Sequence, residues 1–265
     1  MTIPNDVWAV GNAYEPYIGR WSRLVAREFL EWLGAPANAR WLDVGCGTGA
    51  LTATILDTAA PAQIYSIDRS VAYAAFTRRS VSEARVMFAA ADARWLPLAS
   101  ASVDVIVSGL VLNFIPDPEV AAAEMARVVR PGGTLALYVW DYAGEMQLIR
   151  HFWNAAAALD ANAIGLDEAR RFPVCHPPAL ENLLRAVGLQ RVQSRAIDVP
   201  THFRDFSDYW QPFLGGQGPA PGYAMSLDEE HRAQLRDRLR AQLPTAPDGS
   251  IQLIARAWAV RGARA

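Results

Sequence analysis

The stretch WLDVGCGTGALT, residues 41–52, decides the fold that this sequence predicts. An apolar run ends at Val44, and Gly45, Gly47 and Gly49 lead from it into a run with helical character. Glycines are needed where a backbone turns tightly, adopts positive φ and lets a ligand approach without a Cβ in the way. The stretch therefore predicts a strand, a glycine-rich ligand-binding turn and a helix.

Short apolar runs alternate with helical stretches on both sides of this turn. The runs that predict strands are ARWLDVG (39–45), QIYSID (63–68), ARVMFAAAD (84–92), SVDVIVSGL (102–110), TLALYVW (134–140), LQRVQSRAIDVP (189–200) and GSIQLIARAWAVRG (249–262). Such β-α-β alternation is typical of a parallel sheet covered by helices. Residues 141–175 and 200–225 differ, since they are aromatic and irregular, and we expect them to form a cap.

Composition limits the classes of partner. The chain has 265 residues, 52% hydrophobic content and a net charge of -2, and its basic residues include no Lys. Nucleic-acid binders usually carry a basic excess, so no nucleic-acid partner is expected. The two cysteines predict no disulfide framework, and the four histidines lack zinc-ligand spacing. No signal peptide or membrane-spanning run is apparent, so we expect a cytoplasmic protein without membrane insertion. Whether it forms a homodimer stays open.

The glycine turn alone is compatible with two cofactors. Gly45-x-Gly47-x-x-Ala50, with Asp68 further on, also satisfies the dinucleotide fingerprint of NAD(P)-dependent oxidoreductases. An acidic residue, Asp43, lies two positions before the first glycine. The glycine turn therefore needs the surrounding sequence to decide between them.

Four segments carry a resemblance to a known family. They are DVGCGTG (43–49), SID (66–68), ADA (91–93) and DVIVSGLVLNFIPDPEVAAAEMARVVRPGG (104–133). In them the chain resembles the class I S-adenosylmethionine (SAM) dependent methyltransferases, in particular the type 11 group of small-molecule enzymes typified by ubiquinone-biosynthesis methyltransferases. The resemblance implies an α/β, Rossmann-like sheet of seven mostly parallel strands with helices on both faces, an antiparallel last strand and a helical, aromatic cap.

The resemblance also implies a division of the chain and a set of cofactor contacts. Residues 1–37 would form an N-terminal helical lid, residues 38–140 the SAM-binding core, and residues 141–265 the cap insertions with the remaining helices and strands of the same domain. Arg20 would pair with the SAM carboxylate, Asp68 would accept the ribose hydroxyls, and Asp92 would accept from the adenine amino group. The predicted cofactor-binding residues are Tyr17, Arg20, Trp21, Asp43, Gly45, Cys46, Gly47, Asp68, Arg69, Asp92, Ala93, Ser108, Gly109 and Leu110, with Tyr14 as a further candidate in the lid.

The acceptor side of the reaction is less defined. Asn113, Trp140 and Asp141 should lie beyond the carboxyl ends of the strands, where open α/β sheets bind ligands. Candidate catalytic residues are His151, His202, Asp141 and Asn113, although relatives often carry His where Asn113 stands, which weakens a simple His-base mechanism there. Asp141 lacks the neighbouring groups of a metal site, so no metal is expected.

A small, apolar or aromatic acceptor is predicted, because pockets lined by aromatic residues bury mostly hydrophobic ligand surface. The cap aromatics are equally compatible with the core of an extra helical layer. A protein or RNA acceptor, an NAD(P)-dependent oxidoreductase and a fold that binds SAM without methyl transfer are the alternatives that the sequence leaves open.

Overall fold

Strands and helices alternate over most of the computed structural model, which describes residues 15–216 and 218–265. The strands are β1 (Arg40–Val44), β2 (Gln63–Asp68), β3 (Val86–Ala90), β4 (Val103–Gly109), β5 (Val129–Trp140), β6 (Leu189–Phe203) and β7 (Ile251–Arg264). The helices are α1 (Arg20–Leu33), α2 (Ala50–Thr58), α3 (Val71–Ser80), α4 (Pro118–Val128), α5 (Gln147–Leu159), α6 (Glu168–Arg171), α7 (Pro177–Ala186), α8 (Phe206–Trp210), α9 (Pro219–Ser226) and α10 (Glu229–Gln242).

The strands form one seven-stranded sheet in the order β3-β2-β1-β4-β5-β7-β6. Strand β1 pairs in parallel with β2 on one side and with β4 on the other, and β4 pairs in parallel with β5. Strand β7 is antiparallel to β5, with Thr134 opposite Ala263 and Trp140 opposite Ala257. The predicted Rossmann-like architecture, mostly parallel with antiparallel pairing of the last strand, is confirmed.

The chain divides into two compact units. The larger, which we call the core unit, comprises Ser22–Trp140, Val174–Ile197 and Ala257–Ala265. Its interior is formed by apolar strand residues that are fully buried, among them Trp41, Leu42, Ile106 and Leu135. These continuous apolar runs are typical of parallel strands covered on both faces.

Helix α1 is anchored to the core unit at its carboxyl end. Phe29 packs against Tyr138 of β5 with ring centroids 4.7 Å apart. The guanidinium of Arg261 donates to the carbonyls of Trp32 and Leu33, at 2.8 and 3.1 Å. A cation at a helix carboxyl end satisfies carbonyls that have no partner within the helix.

The smaller unit, which we call the cap unit, comprises the described residues up to Trp21 together with Asp141–Pro173 and Asp198–Arg256. Its interior is an aromatic cluster, which we define as Tyr17, Phe152, Trp153, Tyr209, Phe213 and Tyr223. Neighbouring rings lie in contact, as in the stacked pair Phe152 and Phe213 with centroids 4.5 Å apart. Aromatic pairs at such distances stabilise a core beyond their buried area.

Two local expectations need correction. The segment 141–175, which looks irregular in sequence, contains the regular helix α5, because Leu148, Ile149, Phe152 and Trp153 recur at helical spacing on a buried face. Strand β5 begins at Val129 rather than after the PGG turn, and its pairing with β4 carries a register shift near Val103. Within the described residues, no helix has the length and apolar character to cross a membrane.

Candidate functional site

The glycine turn after β1 closes tightly on the neighbouring strand. The backbone N–H groups of Gly45 and Cys46 both donate to the carbonyl of Ile67 in β2, each at 2.8 Å. Gly45, Gly47 and Gly49 all have positive φ, at 78°, 52° and 89°. Such angles strain any residue that has a Cβ, so the turn geometry itself requires glycine.

The three glycines differ in what surrounds them. A Cβ on Gly45 would lie 2.5 Å from the side chain of Val111, and one on Gly49 would lie 2.7 Å from Thr77. A Cβ on Gly47 would meet no atom within 4 Å. Gly45 and Gly49 therefore serve close packing of the protein, whereas Gly47 faces open space that a ligand can enter.

This turn lies where the strand order of the sheet changes direction. The chain runs from β1 to β2 and β3 on one side and through β4 to β5 on the other. Val111, just beyond β4, packs against Gly45, so the carboxyl ends of β1 and β4 meet. Ligands of open α/β sheets bind in the crevice at such a switch point.

Asp68, at the end of β2, is held by the backbone on both of its oxygens. Oδ2 accepts from the N–H of Gly47 at 3.0 Å, and Oδ1 accepts from the N–H of Ser70 at 2.7 Å. Burial raises the pKa of the carboxyl, and these two hydrogen bonds oppose that rise. A carboxylate oxygen has lone pairs for a second donor, so Asp68 is oriented beside Gly47 and can still accept from two hydroxyl groups.

Asp43 is buried beneath the turn, with 1% of its surface exposed. Its Oδ2 accepts from the hydroxyl of Thr52 at 2.6 Å, and that hydroxyl also lies 2.9 Å from the hydroxyl of Ser66. Its Oδ1 has no partner among the described residues. Burial raises the pKa of Asp43 to about 7, an effect that the Thr52 hydrogen bond reduces. Asp43 thus links the strand before the glycine turn to α2 through its hydrogen bond with Thr52.

Cys46 occupies the second position of the turn and is buried. Its Sγ lies 3.9 Å from the hydroxyl of Thr77, which donates to the carbonyl of Gly47 at 2.7 Å. Burial raises the pKa of the thiol to about 12, so the nucleophilic thiolate is scarce at neutral pH. The geometry favours the interpretation of Cys46 as a small packing residue.

The acidic residue after β3 belongs to an ion-pair network. Asp92 accepts from the N–H and the side chain of Arg94 at 2.9 to 3.1 Å, and Arg69 lies 3.9 Å away. The hydrogen bonds from Arg94 hold the pKa of Asp92 below its ordinary value. Ala93 is buried, whereas Arg69 is largely exposed. Asp92 is therefore an ionised acceptor near neutral pH.

The end of β4 contributes one strained residue and one group without a partner. Ser108 donates to the carbonyl of Val44 at 2.9 Å, and a Cβ on Gly109 would collide with Tyr138. Leu110 follows with φ at 61°, a left-handed value that is costly for a branched residue. In the short turn Leu112–Phe114, both amide atoms of Asn113 are buried without a partner in the described chain.

Arg20, in the cap unit, has two N–H donor atoms that make no hydrogen bond with the described residues. Its Nη1 pairs with Asp208 at 3.2 Å, and its guanidinium lies over the rings of Trp21 and Phe203 at 4.5 and 4.7 Å. Its Nε and Nη2 are buried and have no partner among the described residues. These two atoms form the edge with which arginine binds carboxylates in bidentate fashion.

The candidate bases of the cap unit lie in different surroundings. Asp141 accepts from the N–H groups of Gly144 and Glu145, at 3.1 and 3.0 Å, and so stabilises the turn before α5. His151 is half-buried on α5, and burial lowers its pKa. His202 is exposed on β6. Tyr14 lies outside the described residues, and within those residues no group of three His, Cys, Asp or Glu side chains could hold a metal ion.

One buried carboxyl was missed by the sequence interpretation. Glu168 begins α6, is 2% exposed, and accepts a hydrogen bond from the indole of Trp153. Burial raises its pKa to about 8. No motif surrounds Glu168, and the sequence signal that it offers is only an acidic residue within an aromatic segment.

A family model and two curated proteins are similar to the part of the chain that contains this site. Residues 42–137 match the family model described as the methyltransferase domain. The chain is 38% identical over 97 residues to the malonyl-[acyl-carrier protein] O-methyltransferase of Hahella chejuensis, covering 36% of this chain and 34% of that protein. It is 33% identical over 135 residues to the demethylmenaquinone methyltransferase of Renibacterium salmoninarum, covering 51% and 52%.

A solved structure has a similar fold over most of the length of this chain. This structure is phosphoethanolamine N-methyltransferase 2 of Haemonchus contortus, solved in complex with SAM. The match covers 95% of this chain and 56% of that chain, with a TM-score of 0.60 and 15% sequence identity. The chain spans between a third and about half of the length of the two curated relatives. The match to a methyltransferase domain therefore covers residues 42–137, which include the glycine turn, Asp68 and Asp92.

Proposed function

We propose that this protein transfers the methyl group of SAM to a small, apolar or aromatic metabolite. The observation that carries the proposal is the pairing of open space at Gly47 with an oriented Asp68, at the switch point of the sheet. Gly47 has no side chain that would block a ligand, and the carboxylate of Asp68 is held by two N–H groups. Both features fit a nucleoside whose ribose presents two adjacent hydroxyls.

The residues that would hold SAM are the predicted ones. Asp68 would accept from the ribose, and Asp92 with Ala93 would meet the adenine. The backbone from Ser108 to Leu110 would approach the methionyl group, and the Nε–Nη2 edge of Arg20 matches the charge and the two-point geometry of its carboxylate. Tyr17, Trp21 and Arg69 stay further candidates for cofactor contact.

The bound cofactor would supply an electrophilic methyl group on a sulfonium. The protein's part is to orient the acceptor, exclude water and, for an acceptor that keeps its proton, remove that proton. Asn113 is an uncharged amide with unused donor and acceptor atoms, so it fits a positioning role. His151 fits a base, because burial lowers its pKa and keeps it neutral at pH 7. Asp141 fits less well, since both of its oxygens hold the turn before α5.

One relative and the composition support the acceptor class, whereas the other relative is named for a malonyl group that is carried on a protein. The curated relatives are named for malonyl-[acyl-carrier protein] and for demethylmenaquinone. The net charge of -2 provides no basic excess for a nucleic-acid backbone.

The test is a calorimetric titration of the purified protein with S-adenosylhomocysteine, the product that remains after methyl transfer, with NADH as the control. We expect binding at micromolar concentration for the first and none for the second. Binding of NADH alone would contradict the assignment and indicate an oxidoreductase. A screen of metabolites with methyl-labelled SAM then finds the acceptor, and an RNA sample in the same screen tests the polymeric alternative.

A further inference from the structure

The loop after β3 contains an acidic residue whose carboxylate is held by an arginine two positions later. The backbone N–H and the Nε of Arg94 donate to Oδ1 of Asp92 at 2.9 and 3.1 Å, and Nη2 donates to Oδ2 at 3.0 Å. Nη1, the remaining nitrogen of the guanidinium, donates to Asp117 just before α4 at 3.1 Å. Every guanidinium nitrogen of Arg94 therefore has a partner, and such a fork holds the carboxylate of Asp92 in one orientation.

The carboxylate of Asp92 lies at the same edge of the sheet as Asp68. Ala90, the last residue of β3, is the register partner of Asp68, and the N–H of Ala91 donates to the carbonyl of Asp68 at 3.0 Å. Asp92 is the next residue along the chain and belongs to the core unit, which also contains Gly47. Two acidic side chains thus follow neighbouring strands at the edge where open α/β sheets bind ligands.

The hydrogen bonds from Arg94 leave one acceptor position on this carboxylate. Each carboxylate oxygen has lone pairs for about two donors. Oδ1 of Asp92 already accepts from two donors, whereas Oδ2 accepts from Nη2 of Arg94 alone among the described residues. Nε of Arg69 lies 3.9 Å from Oδ2, which is beyond hydrogen-bond distance. Oδ2 can therefore accept one further hydrogen bond, such as one from an amino group.

The same three-residue pattern occurs at the opposite end of β3. Glu83-Ala84-Arg85 precedes the strand, and Asp92-Ala93-Arg94 follows it. Arg85 donates to Glu83 through its N–H, Nε and Nη2, each at 3.3 Å, and this pair is the more exposed of the two. The pattern by itself is thus a local structural device. The second copy differs by lying at the carboxyl ends of the parallel strands.

We propose that Arg94 is a positioning residue that fixes the free acceptor position of Asp92 on the exocyclic amino group of adenine, so that the site rejects purines with a carbonyl there. This rests on the proposed function. A carboxylate oxygen accepts from an amino group but repels a carbonyl oxygen, which has no proton to donate. Arg94 acts through Asp92 and does not itself need to contact the ligand.

The experiment compares the binding of S-adenosylhomocysteine with that of S-inosylhomocysteine, in which a carbonyl replaces the exocyclic amino group. The wild-type protein should prefer the first about 100-fold, because the second loses one charge-assisted hydrogen bond and brings two acceptors together. Arg94→Gln should lower the preference to about tenfold by weakening the adenine ligand alone. Arg94→Lys keeps the charge without the fork and should give an intermediate preference. Asp92→Asn should remove the preference, since an amide can accept from the amino group or donate to the carbonyl.

Arg85→Gln is the matched control, because it opens the corresponding pair at the amino end of β3. It should keep the wild-type preference, and circular dichroism checks that each variant is folded. A wild-type protein without the preference would overturn the proposal, as would a full preference in Arg94→Gln. Equal weakening of both ligands by Arg94→Gln would show that Arg94 only supports the loop, and an equal loss of preference in Arg85→Gln would show a general effect on β3. Either result contradicts the proposal.

Adenosine and inosine separate this inference from the proposed function, since they carry the same two purines without the homocysteine part. A protein that does not bind S-adenosylhomocysteine, yet prefers adenosine to inosine through Arg94, would contradict the proposed function and support the role of Arg94. Binding of S-adenosylhomocysteine without any preference between the purines would leave the proposed function intact and overturn the role of Arg94. Failure of all four ligands to bind would overturn both.

Discussion

The two units of this protein differ in how they hold the charged groups that are proposed to bind the cofactor. In the core unit, Asp68 receives two backbone N–H groups and Asp43 receives the hydroxyl of Thr52. In the cap unit, two donors of Arg20 and the hydroxyl of Tyr17 have no partner in the described chain. The carboxylates beside the glycine turn are thus positioned in advance, whereas Arg20 keeps donors whose hydrogen bonds a ligand can complete. Asn113 of the core unit likewise has unpaired amide atoms.

The largest expected effect tests the open space in the core unit. Gly47→Val should abolish detectable binding of S-adenosylhomocysteine in calorimetry, because a branched side chain would fill the path of the ligand. The positive φ of Gly47 adds strain of roughly 1–2 kcal/mol. Gly45→Ala is the comparison, since its Cβ would collide with Val111 and should lower the thermal stability first. Normal binding of S-adenosylhomocysteine by Gly47→Val would show that the ligand does not pass close to Gly47.

The next effect concerns the pH dependence of stability in the cap unit. The pKa of Glu168 rises from the ordinary 4.5 to about 8 on folding, so the native state binds the proton more tightly than the unfolded state. This stabilisation is full below pH 4.5 and is lost as the pH rises through about 8. It amounts to several kcal/mol, since one pKa unit corresponds to roughly 1.4 kcal/mol.

Denaturant unfolding between pH 5 and 9 measures this effect. Glu168→Gln should show a flatter dependence of the free energy of unfolding on pH than the wild-type protein. Glu83→Gln replaces an exposed carboxyl beside Arg85 and should keep the wild-type slope. Parallel curves for the wild type and Glu168→Gln would mean that Glu168 is ionised in the folded protein.

A smaller effect should follow from removing the anchored carboxylate. Asp68→Ala should weaken the binding of S-adenosylhomocysteine about 100-fold while the fold persists, because two charge-assisted hydrogen bonds to the ribose would be lost. Calorimetry gives the affinity, and circular dichroism checks the fold. Asp104→Ala, at the opposite end of β4 where Asp104 pairs with Arg130, is the control and should bind normally. Unchanged affinity in folded Asp68→Ala would remove Asp68 from its proposed role.

The smallest effect concerns the free donor edge in the cap unit. Arg20→Ala should weaken S-adenosylhomocysteine about tenfold, since one charge-assisted interaction with its carboxylate would be lost. The affinity for 5′-methylthioadenosine, which lacks that carboxylate, should fall much less. Equal losses for both ligands would show that Arg20 acts through the packing of Trp21 and Phe203.

The residues that the sequence could predict are those whose geometry depends on near neighbours. The five parallel strands and the glycine turn follow from apolar runs and from φ requirements, both of which are visible within a few positions. The pair Arg20 and Asp208 is 188 positions apart, and neither residue has a local pattern that indicates its partner. Glu168 is similar, because its burial depends on a cluster assembled from distant segments.

Helix α5 shows a different reason for a missed prediction. Its sequence, QLIRHFWNAAAAL, carries the helical spacing of buried residues that should have predicted it. The density of aromatic side chains hid that spacing, since aromatic residues favour strands by propensity. The four consecutive alanines of the segment favour a helix by propensity, so packing and propensity agree here.

The placement of β7 sets the order in which this sheet can be completed during synthesis. Residues 251–264 lie between β5 and β6 in the sheet, although they are made after both. Until residues 251–264 have joined the sheet, β5 has an open edge and β6 lacks its neighbour. Unpaired strand edges are the surfaces on which chains aggregate. A chain in which β7 has not yet been inserted therefore exposes two strand edges that the finished sheet covers.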